Sequence, residues 1–175
     1  LVIQFEPSRM LVSQNSQAVR ERLQSKGYSV RSIELGDEIP TTLENIINFI
    51  EDSTNDTINV ITSTYHSSKI VSEALKKLNI SADFMICDEA HRLCGRISKT
   101  FGKVLYDSFI PCKKRWFQTG SIKKYYGNNS KYVGFNNEKV FGRIVYTYTL
   151  RQGIADGYIA PFRAYGFKIE EDKVE

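Results

Sequence analysis

Short apolar runs alternate with amphipathic stretches over the first two thirds of this 175-residue chain, and this alternation limits the folds it can adopt. Five runs have the length and composition of strands: residues 1–5, 28–33, 57–62, 84–87 and 115–118. Helical patterns of about a dozen residues separate them, which is typical of βαβ units. The sequence therefore predicts an α/β fold with a parallel sheet and helices on both faces. The wholly apolar run 84–87 fits the buried centre of such a sheet.

Capping residues and helical spacing locate the intervening helices. A first helix is predicted over 8–26, where Gly27 ends it. Thr41 or Thr42 caps a second helix, and Ser67 or Ser68 caps a third. A fourth helical pattern spans 101–109.

The composition changes after Gly120. Residues 121–139 are rich in Asn, Gly, Lys and Tyr and are predicted to form a surface loop. A strand over 143–149, a short helix over 150–155 and an extended segment over 159–169 follow. We therefore predict a main lobe over 1–120 and a loop and extended segment over 121–175.

Composition and charge narrow the class of protein. The net charge is +4 and the pI about 8.9, which permits a nucleic-acid partner without requiring one. Three cysteines without a Cys-x-x-Cys pair suggest neither a disulfide framework nor a zinc site, so an intracellular setting is expected. No run approaches the roughly 20 apolar residues of a membrane helix. Because residue 1 is not Met, we expect that the natural N-terminus has been removed.

Two adjacent carboxylates, Asp88 and Glu89, directly follow the apolar run 84–87. Ligands of open parallel sheets bind beyond the carboxyl ends of the strands, and Mg²⁺ at nucleotide sites is held by one or two carboxylates together with phosphates. A second carboxylate can activate a water molecule. The alternative is structural, because Asp and Glu also cap and stabilise helix N-termini.

The segment from Phe84 to Arg92, with Asp-Glu-Ala-His at 88–91, resembles the Walker B motif of DEAH-type superfamily-two helicases and translocases. Three other segments match that family in order: 7–14 resembles motif Ia, 61–65 the Thr-rich strand end that follows it, and 115–121 motif III. Residues 140–158 resemble the segment that leads to the second motor lobe, most closely that of restriction-type DNA translocases. The resemblance implies the N-terminal RecA-like lobe of a P-loop NTPase, with ATP and Mg²⁺ as cofactors. It also implies two partners: a nucleic acid, with DNA favoured over RNA, and a second RecA-like lobe of the same parent chain.

The same resemblance assigns roles to individual residues. Asp88 would act on Mg²⁺ and Glu89 on the attacking water, while His91 would connect the nucleotide site to motif III or to the second lobe. Thr119, Gly120 and Ser121 would couple hydrolysis to movement. The residues implied to contact the nucleic-acid backbone are Ser8, Arg9, Thr62 and Thr64.

The sequence departs from the family in two places. It contains no Gly-Lys-Ser/Thr phosphate loop, so we expect that loop, the first strand and the second lobe to lie outside this chain, which alone would neither hydrolyse ATP nor unwind a duplex. Motif III reads Thr119-Gly120-Ser121 in place of Thr-Ala-Thr or Ser-Ala-Thr. The alternative interpretation is a non-catalytic nucleic-acid-binding module derived from a helicase lobe. A Mg²⁺ nuclease is disfavoured because no further carboxylate cluster supports it.

Residues 123–126, Lys-Lys-Tyr-Tyr, mix basic and aromatic side chains as single-strand binders do. A plain flexible loop is the interpretation that the local composition favours.

Overall fold

Parallel strands form the centre of the fold in a computed structural model that describes residues 1–36, 40–54, 56–126 and 131–163. The strands in these residues are β1 Val2–Glu6, β2 Ser29–Glu34, β3 Thr57–Thr64, β4 Phe84–Cys87, β5 Gly95–Arg96, β6 Arg115–Phe117 and β7 Tyr132–Val133. Five of them form one sheet in the order β2-β3-β1-β4-β6, with every pairing parallel. The predicted parallel sheet is therefore confirmed.

Helices cover both faces of this sheet. Those that do so are α1 Arg9–Gln24, α2 Leu43–Glu51 and α3 Ser68–Lys77; two further helices, α4 Glu138–Phe141 and α5 Leu150–Ala155, follow later in the chain. The connection from β1 to β2 crosses the sheet toward its β2 edge. The connections from β2 to β3 and from β3 to β4 cross it in the opposite direction, toward the β6 edge. Because such crossovers are right-handed, α1 covers one face, while α2 and α3, which contact each other, cover the opposite face. The predicted two-sided arrangement is confirmed.

The two faces of the central strand β1 differ in chemistry. Ile3 and Phe5 point to the face covered by α2 and α3 and belong to the apolar core. Gln4 and Glu6 point to the α1 face and are almost completely buried. Thr62, the neighbour of Gln4 on β3, is buried on the same side. The α1 face is therefore the polar interior of the lobe.

Local signals set the helix ends. Gly27 has a φ of +86° directly after the last turn of α1, as the predicted stop requires. Of the two candidate caps, Thr42 begins α2, because its Oγ1 accepts a hydrogen bond from the Asn45 N–H at 3.2 Å. The helix predicted over 101–109 is instead a short 3-10 helix, Phe101–Leu105.

The segment 121–139, predicted to be a surface loop, contains regular structure. Strand β7 pairs antiparallel with β5, and α4 begins at its end. The Phe141 ring lies 4.5 Å from Phe135 and 5.1 Å from Phe117, which anchors the segment on the lobe. The sequence analysis did not predict these aromatic contacts, because the local composition of the segment is mostly polar. Residues 127–130 lie outside the described residues.

The chain divides into two compact units, Leu1–Gly142 and Arg143–Glu175. Within the second unit, residues 143–149 form no strand, so that prediction was wrong. The predicted helix is present as α5, where Thr149 and Gln152 form a capping box. Part of the extended segment predicted over 159–169, and everything after residue 163, lies outside the described residues.

Other expectations can be compared with the described part of the chain. Cys87, Cys94 and Cys112 are all buried free thiols, which agrees with the prediction of no disulfide framework. None of the described helices has the length and apolarity that crossing a bilayer demands.

The N-cap of α2 gives a first prediction. Thr42→Ala removes the acceptor for the Asn45 N–H and should lower the free energy of unfolding by about 1 kcal/mol, measured by urea denaturation. Thr42→Ser keeps the hydroxyl and should remain close to the wild type. Equal losses in the two variants would contradict the assigned cap.

Candidate functional site

The carboxyl ends of β1, β3, β4 and β6 meet at one edge of the sheet, because these strands are parallel. Ligands of open α/β sheets bind at this edge. Each predicted motif contributes site residues that lie at the end of one of these strands or just beyond it. The residues concerned are Ser8 and Arg9 after β1, Thr64 at the end of β3, Asp88 and Glu89 after β4, and Thr119 after β6.

The backbone of Asp88 is fixed by two neighbouring segments. Its N–H donates to the Phe5 carbonyl of β1 at 3.0 Å, and the buried Tyr65 hydroxyl donates to its carbonyl at 2.6 Å. The next turn is tied to β6, because the Ala90 N–H donates to the Gln118 carbonyl at 2.8 Å. The two carboxylates therefore project from a turn whose position three strands determine.

His91 connects Glu89 to the end of β6. Its Nδ1 lies 3.0 Å from Glu89 Oε2 and 3.0 Å from Thr119 Oγ1. A carboxylate only accepts hydrogen bonds, so Nδ1 must carry the proton. Glu89 itself has a φ of +45°, a left-handed conformation that non-glycine residues seldom adopt. The structure thus brings Glu89, His91 and Thr119 into direct contact.

Thr119, Gly120 and Ser121 form a tight turn beyond β6. Thr119 Oγ1 accepts the Ser121 N–H at 3.1 Å, within reach of His91. A Cβ at Gly120 would meet no atom within 4 Å. Steric crowding among the described residues therefore does not require glycine in place of the usual alanine. The Ser121 side chain is exposed.

Glu6, which the sequence analysis did not select, lies beside Asp88. Its side chain is completely buried, and Oε1 accepts a hydrogen bond from Gln4 Nε2 at 2.6 Å. With both carboxyl groups ionised, Oε2 has no hydrogen-bond partner among the described residues. A proton on Glu6 would supply the missing bond to Asp88. The sequence signal that could have identified Glu6 is a carboxyl group at the end of a mostly apolar strand.

The environment of Glu6 favours its neutral form. Burial, together with the negative charge of Asp88 and a hydrogen bond with it, raises the pKa of Glu6 to about 7, although hydrogen bonds with Asn15 and Gln4 act to lower it. Below about pH 7, Glu6 therefore keeps its proton in the folded chain.

The donor set at this turn fits Mg²⁺ in the way that nucleotide sites bind it. No three His, Cys, Asp or Glu side chains converge as a complete metal site in the part of the chain that the structure describes. Mg²⁺ at such sites needs only one or two carboxylates, because phosphates and water supply the other ligands. Asp88, directly after β4, provides a hard oxygen donor of the right type.

A cavity of about 470 Å³ opens at the same edge of the sheet, beyond β1, β2 and β3. Three of the predicted nucleic-acid residues, Ser8, Arg9 and Thr64, line it together. The other polar side chains in its lining are Thr41, His66 and Ser67, none of which the sequence analysis assigned to nucleic-acid binding. Arg9 and the hydroxyl groups of the described lining are hydrogen-bond donors that can contact an anionic ligand. We call this cavity the edge pocket.

The fourth predicted nucleic-acid residue lies elsewhere. Thr62 is completely buried on the α1 face, and its Oγ1 has no partner among the described residues. The structure does not bring it to the edge pocket. Thr62 and Thr64 share one face of β3, and they differ in position along the strand: Thr64 is its last residue, whereas Thr62 lies two residues earlier.

Comparisons with known proteins find similarity in solved structures. Two type ISP restriction-modification enzymes match: LlaGI, as a nuclease-deletion mutant in complex with a DNA substrate mimic, and the ATP-dependent LlaBIII, bound to DNA. The LlaGI match has 24% identity and a TM-score of 0.67 over 90% of this chain, and the LlaBIII match has 22% and 0.66 over 89%. The matched regions span 14% and 12% of those chains. No protein-family model and no curated protein matches the sequence.

These similarities confirm the fold. The chain is an α/β lobe of the RecA-like type found in these enzymes, and the predicted likeness to restriction-type proteins holds at the level of the fold.

The raised pKa of Glu6 predicts how stability depends on pH. Between pH 4.5 and about 7 the folded chain keeps a proton that the unfolded chain loses, so stability should fall as the pH rises through this range. Glu6→Gln should remove this part of the dependence and be more stable than the wild type above pH 7. Urea midpoints measured in EDTA at several pH values test this, and parallel profiles for the two proteins would contradict it.

Proposed function

We propose that this chain is the N-terminal motor lobe of an ATP-dependent nucleic-acid helicase or DNA translocase. The observation that supports this most is the contact of His91 with both Glu89 and Thr119. A motor must connect the residues that act on ATP to a segment that can move. The His91 side chain joins the turn after β4 to the turn after β6, and a structural helix cap at Asp88 would need no such connection.

The carboxylates at the turn after β4 would divide the chemistry between them. Bound Mg²⁺ would neutralise charge on the phosphates of ATP. Asp88 would hold the ion, directly or through water, and Glu89 would orient the attacking water and accept its proton. The Nδ1–H of His91 donates to Glu89 Oε2 and would hold this carboxylate in place.

Coupling would pass through the turn after β6. Thr119 Oγ1 contacts His91 on one side and holds the backbone of Ser121 on the other. A change in the charge of Glu89 would alter the hydrogen bonds of His91 and thereby the turn at 119–121. Gly120 adds backbone freedom at this point.

The edge pocket would bind the nucleic-acid backbone. Arg9 supplies a cation, and Ser8 and Thr64 supply hydroxyls, which are suited to phosphate and sugar contacts that carry no sequence information. Ser8 makes no capping hydrogen bond to α1, so the positive end of the helix dipole faces this region without a side-chain cap. The described surface favours a role for these three residues, while a contact by Thr62 stays a prediction.

DNA is the proposed nucleic acid, because LlaGI and LlaBIII were both solved with DNA or a mimic of it. A second RecA-like lobe is the proposed protein partner. Since the sequence has no Gly-Lys-Ser/Thr, the 175-residue chain alone is expected to hydrolyse no ATP. The alternative, a non-catalytic binding module, would keep the edge pocket and make no use of Glu89.

Glu89→Gln separates these two functions. In the protein that contains this lobe together with a phosphate loop, the substitution should lower ATP hydrolysis at least about 100-fold, because it removes the base. DNA binding should be retained. A coupled phosphate-release assay and fluorescence anisotropy with a labelled oligonucleotide measure the two properties.

The matched control for this experiment is Glu51→Gln, an exposed carboxylate at the end of α2. It should hydrolyse ATP at the wild-type rate. Wild-type hydrolysis in Glu89→Gln would favour the binding module. Hydrolysis by the isolated chain that disappears in Glu89→Gln would contradict its expected inactivity.

Arg9→Ala tests the edge pocket in the isolated chain. It should weaken binding of labelled DNA and reduce the salt dependence by about one phosphate contact. Arg22→Ala, which removes the same charge about 20 Å further along α1, should have little effect. Equal effects of the two substitutions would show that only net charge matters.

A further inference from the structure

The excess of positive over negative charge in this chain comes from two segments, 90–106 and 119–137. They contain seven of the 24 Lys and Arg residues and none of the 20 Asp and Glu residues. The rest of the chain therefore has 17 basic and 20 acidic residues, a net charge of −3. The net charge of +4 depends entirely on these two segments.

The fold places the two segments side by side. Arg96 pairs with Tyr132 in the β5–β7 ribbon, and the Phe135 N–H donates to the Lys123 carbonyl at 2.9 Å. The exposed side chains that this arrangement gathers are Arg96, Lys99, Lys123, Lys124, Tyr126 and Tyr132. We call this group the ribbon surface.

The described part of this segment, up to residue 126, is not a plain flexible loop. The Tyr125 N–H donates to Asn136 Oδ1 at 3.0 Å, and Asn136 Nδ2 donates to the Tyr125 carbonyl at 2.7 Å. The Tyr125 ring stacks on Tyr132 with centroids 5.7 Å apart. A Cβ at Gly134 would lie 2.8 Å from the Lys123 carbonyl, so the close approach of the two segments requires glycine there. Lys123 and its neighbours therefore project from a fixed backbone.

The ribbon surface combines two chemical features. Tyr126 is 83% exposed and lies two residues after Lys124 in the sequence. Arg96 Nε lies 3.3 Å from the Tyr132 hydroxyl, which orients the guanidinium over the ribbon. Cations that meet phosphates, together with an exposed ring that stacks on a base, characterise surfaces that bind single-stranded nucleic acid.

The ribbon surface adjoins the edge pocket through one aromatic ring. The His66 ring of the pocket packs edge-on against Phe101 at 4.7 Å. Lys99 Nζ of the ribbon surface lies 6.0 Å from the centroid of the same Phe101 ring. A strand leaving the pocket near His66 would therefore meet Lys99 next.

We propose that the ribbon surface binds a single DNA strand that continues from the edge pocket, with its cations on the phosphates and the Tyr126 ring under a base. This inference rests on the proposed nucleic-acid binding and extends it to a second contact surface. An acidic protein segment would use the cations and leave Tyr126 dispensable, so the ring distinguishes the two partners.

Fluorescence anisotropy of the 175-residue chain with labelled oligothymidine, over a range of salt concentrations, tests the proposal. Lys123→Ala/Lys124→Ala should weaken binding and lower the slope of log affinity against log salt by about 1.4, or about 0.7 for each lost phosphate contact. Tyr126→Ala should weaken binding roughly tenfold with little change in slope. Tyr126→Phe, which keeps the ring, should bind like the wild type.

Lys76→Ala/Lys77→Ala is the matched control, because it removes an adjacent, exposed lysine pair from the end of α3. Equal losses in the two lysine pairs, or no loss in Tyr126→Ala, would overturn the proposal. Arg9→Ala distinguishes binding at the edge pocket from binding at the ribbon surface. If only Arg9→Ala weakens binding, the edge pocket stands and the ribbon surface fails; if only the ribbon variants do, the reverse holds. No binding of any oligonucleotide at low salt would overturn both.

Discussion

The parallel pairing of β1 with β3 on one side and with β4 on the other is the constraint on which the rest of this lobe depends. It sets the register that sends Ile3 and Phe5 into the apolar core and Glu6 toward α1. A slip of one residue would exchange these faces and place a carboxyl in the apolar core. The same pairing brings the ends of the strands to one edge, so the hydrogen bonds that stabilise the sheet also place Asp88 beside Glu6.

The buried polar side chains on the α1 face lower the stability of the fold, and packing alone does not require them. Buried polar atoms without partners, such as Thr62 Oγ1 and Glu6 Oε2, destabilise a fold. An apolar side chain at Glu6 would avoid that cost. Local conflicts of this kind are expected at functional sites. The position of Glu6 beside Asp88 agrees with the proposed nucleotide chemistry. The motif over 84–92 could not predict it, because Glu6 lies outside that segment.

The proposed nucleotide and nucleic-acid sites are physically continuous. Tyr65 donates its hydroxyl proton to the Asp88 carbonyl, and its 3-10 helix continues into His66 and Ser67, which line the edge pocket. Phe101 packs on both Tyr65 and His66. A displacement of the turn at Asp88 would therefore be transmitted to the edge pocket through residues in direct contact. A motor that couples ATP hydrolysis to movement along DNA needs such a connection.

Sequence by itself determined the fold class, the five strands of the main sheet, most helix starts and the position of Asp88 and Glu89 beyond β4, because periodicity, caps and strand ends are local properties. The tertiary structure decided the rest. Glu6 became part of the site through sheet pairing, and Thr62 was separated from Thr64 by its position before the end of β3. The ribbon surface depends on the pairing of Arg96 with Tyr132, 36 residues apart. Such contacts join segments whose local composition is that of a loop, and no local pattern encodes which distant segment will pack against them.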